Sequence, residues 1–242
     1  MRTEVLGVEF DNLNMEAAAA KAFELMEQRR SAYVVTPNPE IVWMCRDNSA
    51  LKESVAEADL VVPDGIGVIY GAKILGTPLQ ERVPGIDLAT KLFERLPESG
   101  KTLYLLGAKP GIAEMAAENI SKQFPGIKIC GTADGYFKDD APVVEKINAA
   151  APDLLLVCLG APKQEIWMHS NADKLNVGLM MGLGGVLDVF AGTVQRAPKS
   201  WQKLGLEWLY RLIKQPSRIK RMIKLPIFLF AAIGVRIRGK RA

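Results

Sequence analysis

Asp64 is the residue whose setting most invites a chemical explanation. It closes the apolar run "DLVVPD" (Asp59 to Asp64) behind Pro63, and Gly65 and Gly67 follow it. A phosphate cradle needs glycines but no acid. A carboxylate in this place suits a general base, with the two glycines leaving room for a substrate beside it. The competing role is structural, as a cap on a helix that begins at Ile66. Other groups fit for chemistry gather in comparable places. Thr36-Pro37-Asn38-Pro39-Glu40, Gly107-Ala108-Lys109-Pro110-Gly111, Gly160-Ala161-Pro162-Lys163-Gln164-Glu165 and Gly182-Leu183-Gly184-Gly185 each follow a short apolar run. Such ends permit close backbone approach, and the helices after them present free N–H groups to anions. Five of them on one edge point to a nucleotide or phosphate pocket rather than to five unrelated tight turns.

Motifs for several other chemistries are missing. "GIGVIYG", "GAKPG" and "GLGGV" all depart from the GxGxxG spacing of dinucleotide sites, and GxxxxGK[ST] does not occur. Neither GxSxG nor a Cys/His cluster with zinc spacing is present. The sequence also lacks Asp-x-Asp, with which many sugar-nucleotide enzymes grip a divalent cation; adjacent Asp139 and Asp140 read as a helix cap before "APVVEKI". A departing diphosphate would then be met by side-chain cations. Arg82, Lys109, Lys163 and the C-terminal arginines are available, and arginine binds phosphate bidentately. The single histidine, His169, reads as a packing or surface residue. Cys45, Cys130 and Cys158 have no paired spacing and read as buried free thiols of a reducing compartment.

The elements that must position these residues follow from periodicity. Strands are expected at "AYVVT" (from Ala32), "DLVVPD", "TLYLLG" (Thr102 to Gly107), "IKICG" (from Ile127), "DLLLVCLG" (Asp153 to Gly160) and "GLMMGLG" (Gly178 to Gly184). Helical patterns such as "MEAAAAKAFELMEQRR", "GIDLATKLFERL", "GIAEMAAENISKQF" and "KQEIWMHSNADKL" alternate with them. Strands apolar on both faces, each followed by an amphipathic helix, describe a doubly wound, mostly parallel α/β sheet of Rossmann-like type. In such sheets ligands bind outside the carboxyl ends of the strands, where the candidate residues lie.

Charge divides the 242 residues in two. From Arg196 onward thirteen Lys or Arg stand against one acid, Glu207, for a net +12; residues 1–195 carry eighteen bases and 26 acids, for −8. The division marks a core over 1–195 and a basic, amphipathic appendage over 196–242. Proline at 216 and 226 would break its helices. Arg211, Lys214, Arg218 and Arg221 recur at helical spacing, with apolar residues on the same turns, a pattern suited to an anionic membrane surface. "LPIFLFAAIGV" (Leu225 to Val235) is about half the length of a spanning helix. No signal peptide opens the sequence, so a cytoplasmic protein held peripherally at the inner face of the membrane is expected. Nucleic acid is the rival anionic partner; Trp201, Trp208 and the Phe-rich run argue for lipid instead. The same apolar surface leaves homo-oligomerisation open.

Five motifs, in matching order across essentially the whole chain, resemble the WecG/TagA/CpsF glycosyltransferases: "TPNPEIV" (from Thr36), "VPDGIGV" (from Val62), "RVPGIDL" (from Arg82), "LGAPKQE" (from Leu159) and "GLGGVLDVFAGTVQRAP" (from Gly182). The resemblance implies an inverting, metal-independent and cofactor-free enzyme that moves N-acetylmannosamine, or another sugar such as its uronic acid or glucose, from a UDP donor. The implied acceptor is undecaprenyl-diphosphate-linked N-acetylglucosamine, the linkage β-1,4 and the product a teichoic acid or surface polysaccharide. By position it makes Asp64 the catalytic base. It places Thr36, Asn38, Arg82, Gln164, Arg211, Arg218 and Arg221 around the sugar and diphosphate. Tyr136, Glu165, Gly184 and Asp188 fall on the nucleotide side.

Overall fold

The computed structural model describes residues 2–216, 219 and 223–239. Arg218 and Arg221 lie outside the described residues. Six strands, β3 (Ala32–Val35), β4 (Leu60–Val61), β5 (Thr102–Gly107), β6 (Lys128–Ala133), β7 (Leu154–Cys158) and β8 (Leu179–Gly182), form one parallel sheet in the order β4-β3-β8-β7-β5-β6. The expected α/β architecture is the observed one.

Alternate side chains of each strand feed two apolar layers, because neighbours along a strand point to opposite faces. Val34, Leu105, Leu156 and Met181 join the layer under α1 (Met15–Gln28), α5 (Gly85–Ser99), α6 (Ile112–Gln123) and α9 (Val186–Phe190). Val35, Leu106, Val157 and Met180 join the other. That second layer is covered by α2 (Pro39–Met44), α3 (Ser49–Ala56), α4 (Ile66–Leu75), α7 (Ala141–Ala150) and α8 (Lys163–Asn171). Sheets clad on both faces need continuous apolar strands, and "LLLVC" is buried at every position.

Some elements differ from expectation. The run "DLVVPD" keeps only Leu60 and Val61 as strand; β4 is an edge, and Pro63 has no N–H to extend the ladder. A hairpin of β1 (Arg2–Val5) and β2 (Val8–Asp11), turning through positive φ at Leu6 and Gly7, precedes the sheet. It guards the β4 edge: Asp11 accepts from the Val61 N–H at 2.9 Å, and Arg2 donates to the Ala58 carbonyl at 2.8 Å. Cys45 and Cys158 are buried free thiols, but Cys130 is exposed, because β6 is the opposite edge and half its residues face outward. Asp139, rather than Asp140, accepts from the first helical N–H of α7.

After α9 the chain forms α10 (Lys199–Lys203), α11 (Glu207–Lys214) and α12 (Lys224–Gly239). Helix α11 ends at Lys214, ahead of Pro216. Pro226 does not interrupt α12; it sits in the first turn, where its missing N–H costs nothing. Helix α12 packs on α4 and α2, with Phe228 and Ala232 fully buried. The fit relies on small residues: a Cβ at Gly71 would lie 2.6 Å from the Phe228 ring, and one at Gly67 2.3 Å from Leu225.

Candidate active site

The strand order gathers the carboxyl ends of β4, β3, β8 and β7 side by side, and a cavity of 460 Å³ opens there. Its lining includes Thr36, Asn38, Asp64, Arg82, Gln164, Gly184, Asp188 and Arg211. Several expected contributors stand apart, Lys163 and Glu165 among them. The Gly107 to Gly111 turn follows β5, further along the sheet, and is not part of this wall. Tyr136 is 68% exposed in the loop after β6, which is moored to the end of β5 by the Gly135 N–H donating to the Ala108 carbonyl at 2.9 Å. A shallow depression beside edge strand β6, which includes Cys130 and Thr132, shares none of the cavity's residues.

Asp64 is partly buried in the wall. Its backbone N–H donates to the Pro37 carbonyl at 3.3 Å, which fixes it beside the β3 turn. It does not cap α4: Gly65 is the cap residue, and no side chain bonds the first turn. Among the described residues none hydrogen-bonds the Asp64 carboxylate. Burial pushes its pKa up to about 6; Arg211, Arg82 and Arg196 pull it down, and Glu207 pushes it up. The flanking glycines line the cavity and also answer to the protein. A Cβ at Gly65 would meet Pro39 at 2.6 Å, and one at Gly67 would strike Leu225 and Pro39, so both let helices close around the site.

The other lining groups are fixed by the elements they start. Asn38 caps α2, its side-chain oxygen accepting from Ile41 N–H at 3.1 Å, with Pro39 at the first helical position. Its amide N–H groups have no partner among the described residues. The buried Thr36 hydroxyl donates to the Gly182 carbonyl at 3.1 Å, tying β3 to β8. Gln164, only 3% exposed, brackets two loops: its carbonyl accepts from Gly160 N–H at 3.2 Å and Gly184 N–H at 2.8 Å. Its amide donates to Glu165 Oε1 at 2.8 Å. Glu165 is 1% exposed, does not line the cavity, and leaves Oε2 without a hydrogen-bond partner among the described residues; burial raises its pKa. Asp188 lies in the first turn of α9, on the cavity wall.

The C-terminal helices close the cavity. Gly205, at φ 70° between α10 and α11, rests on Ile66 at the start of α4; a Cβ there would come within 2.9 Å of it. This elbow sets Glu207, Trp208, Tyr210 and Arg211 over the opening. Glu207 Oε1 accepts from Arg211 at 2.9 Å and stands 3.6 Å from Arg196 Nε, while Oε2 lies 3.6 Å from Arg82. Arg196 also grips Asp87 bidentately, at 2.5 and 2.7 Å. Neither Glu207 nor Arg196 was singled out as a site residue by sequence. The available signal for Glu207 was its isolation, one acid among thirteen bases. Among the described residues no three His, Cys, Asp or Glu stand together as a metal could require.

A parallel sheet, a carboxylate at a strand end and arginines across a cavity are the frame that the sequence motifs implied. The model of the "Glycosyl transferase WecG/TagA/CpsF family" matches residues 3–242. The chain belongs to that family. A Bacillus spizizenii protein named N-acetylglucosaminyldiphosphoundecaprenol N-acetyl-beta-D-mannosaminyltransferase is 38% identical over 208 residues, covering 86% of this chain and 81% of its own. A Staphylococcus aureus protein of the same name is 33% identical over 243 residues, covering 100% of this chain and 96% of its own. This member is therefore a glycosyltransferase, and its cavity is where the family's chemistry is to be sought.

Proposed function

We propose that this glycosyltransferase moves N-acetylmannosamine from UDP-N-acetylmannosamine to the 4-hydroxyl of N-acetylglucosamine carried on undecaprenyl diphosphate, with inversion to a β linkage. The names of the relatives support the sugar, its β configuration and the acceptor. The observation that carries the mechanism is the Asp64 carboxylate, which no described residue hydrogen-bonds, in a cavity lined by Arg82 and Arg211. Asp64 takes the acceptor hydroxyl proton as the oxygen bonds to the anomeric carbon. The bond from that carbon to the UDP oxygen breaks, and UDP leaves as an anion. A single displacement needs one base and no carboxylate nucleophile. Arg82 and Arg211, from the cavity wall, meet the charge of the departing diphosphate without a divalent metal. Asn38 supplies free N–H donors, and Gln164 sets the loops on which Gly184 and Asp188 face the nucleotide. The family resemblance adds Arg218 and Arg221 to the cationic set and assigns Tyr136 to the uracil, although Tyr136 does not line the cavity.

The acceptor lies at a bilayer, and the segment from Arg196 onward is read as the part that brings the enzyme to it. No helix of the described residues is long and apolar enough to cross a membrane. Helix α12 instead presents Ile227, Phe230, Ile233 and Ile237 outward, Phe230 at 72% exposure. This apolar face beside a basic segment suits the interface of the inner leaflet, and favours lipid over nucleic acid.

UDP release from UDP-N-acetylmannosamine, measured in EDTA with and without the lipid-linked acceptor, tests the reading. Acceptor-dependent release that survives EDTA and collapses in Asp64→Asn is expected. Release only from UDP-N-acetylmannosamine uronic acid or UDP-glucose would replace the donor, and loss in EDTA would overturn metal independence.

A further inference from the structure

Three guanidiniums, those of Arg82, Arg196 and Arg211, stand close enough to Asp64 to bear on its charge. Among the described residues none of them bonds to it. One other anion holds all three. Glu207 takes Arg211 at 2.9 Å and Arg196 and Arg82 at 3.6 Å, from a side chain only 12% exposed. Without that anion Arg196 would keep Asp87, while Arg82 and Arg211 would lose the carboxylate that holds them beside Asp64. A carboxylate in a guanidinium fork has its lone pairs engaged, and its affinity for a proton drops. Such a base would be spent before an acceptor arrived. The 3.6 Å separation from Arg82 is longer than a strong charge-assisted bond, so Arg82, on the cavity wall, stays near Glu207 yet remains able to reach a diphosphate oxygen, whereas Arg196 is also held by Asp87.

We propose that Glu207 is a positioning residue for the transfer reaction: by holding Arg82, Arg196 and Arg211 it keeps the Asp64 carboxylate unbonded and able to accept the acceptor's proton. The inference rests on the reading of Asp64 as general base. Glu207 touches no reacting atom and acts through the arginines. Among the described residues the charged groups bearing on Asp64 are Glu207 and Arg211 from α11, Arg82 from the turn before α5, and Arg196 from the turn before α10. Taking one negative charge from that set lowers the proton affinity of Asp64, and freeing the arginines lowers it further.

The test is a carbon-13 NMR pH titration of the full-length protein labelled at aspartate side-chain carboxyls, with Asp64 assigned by its loss in Asp64→Asn. Wild-type Asp64 should titrate near pH 6. In Glu207→Gln the midpoint should fall by about one pH unit or more. Glu207→Asp, whose carboxylate is drawn back by one methylene, should fall between the two and carries the test if Glu207→Gln does not fold. A folded variant with an unmoved midpoint, or one shifted upward, overturns the proposal. The titration uses no substrate, so failure of UDP release would sink the proposed function and leave this result standing. Where release is seen, its acid limb should move with the titration, whereas a purely structural role would scale the rate equally at every pH.

Discussion

After β4 the chain runs Pro63-Asp64-Gly65 into α4; after β7 it runs Gly160-Ala161-Pro162 into α8, with Glu165 in the first turn. Both turns lie on the same sheet edge, both set a carboxylate beside the same cavity region, and burial raises the pKa of both acids. They differ in what surrounds the oxygens. Asp64 lines the cavity and is unbonded among arginines engaged elsewhere. Glu165 is sealed in the apolar layer with one oxygen on Gln164 and the other on nothing described. A raised pKa is therefore not what marks a base. The proposed base role rests instead on access to the cavity together with a lone pair that no described residue engages, and of these two turns only the β4 turn has both.

Removing the carboxylate after β4 should have the largest effect. Asp64→Asn is expected to lower the transfer rate by about 10²–10⁴. It should not lower the thermal unfolding midpoint, since no hydrogen bond from a described residue to the side chain is lost. A variant at wild-type rate would erase the contrast between the turns. Next comes acid. Below about pH 6 the rate should fall roughly tenfold per pH unit as Asp64 takes up its proton. Stability should move the other way. The folded state binds that proton more tightly than the unfolded chain, so between the ordinary aspartate range and about 6 the Asp64 contribution favours folding more as pH falls. Parallel loss of rate and stability across that window would show that the acid limb reports unfolding instead.

The β7 turn should respond in stability first. Gln164→Ala leaves the Gly160 and Gly184 N–H groups without their shared acceptor, at about 1–3 kcal/mol for each that stays buried and unpaired, read from chemical denaturation. Glu165→Gln should change least. The rate profile should keep its acid limb, and the loss of stability that wild type suffers as pH rises through the raised Glu165 value should disappear, because the variant has no proton to give up. A shifted acid limb in Glu165→Gln would make the two turns functionally alike.

Much of the frame was legible in sequence because a sheet covered on both faces writes continuous apolar strands, as in "TLYLLG" and "DLLLVCLG". Edges were not. β4 shrank to two residues and the β1–β2 hairpin went unread, since short strands with one open side carry little apolar signal. Helix α2 hid inside a run read as a turn, although Asn38 and Pro39 are a cap and a first helical residue. The cavity's polar residues were largely anticipated, because strand ends are marked by glycine and proline. What escaped was pairing across distance. Glu207 meets Arg82 over more than a hundred residues of chain, and no local pattern records which arginine a lone acid will meet. The crowding of the glycines beside Asp64 escaped for the same reason: it comes from Pro39 and Leu225, far away in sequence.

That crowding bears on how such a protein can change over generations. Gly67 and Gly71 are notches on α4 that receive Leu225 and Phe228 of α12. Any larger residue at a notch needs a smaller one at the matching knob, so each pair must drift together or not at all. The C-terminal helix is thereby tied to the helix that starts two residues after Asp64. Exchanging the outward apolar surface of α12 between relatives should be tolerated freely, whereas exchanging the whole helix should succeed only when α4 travels with it.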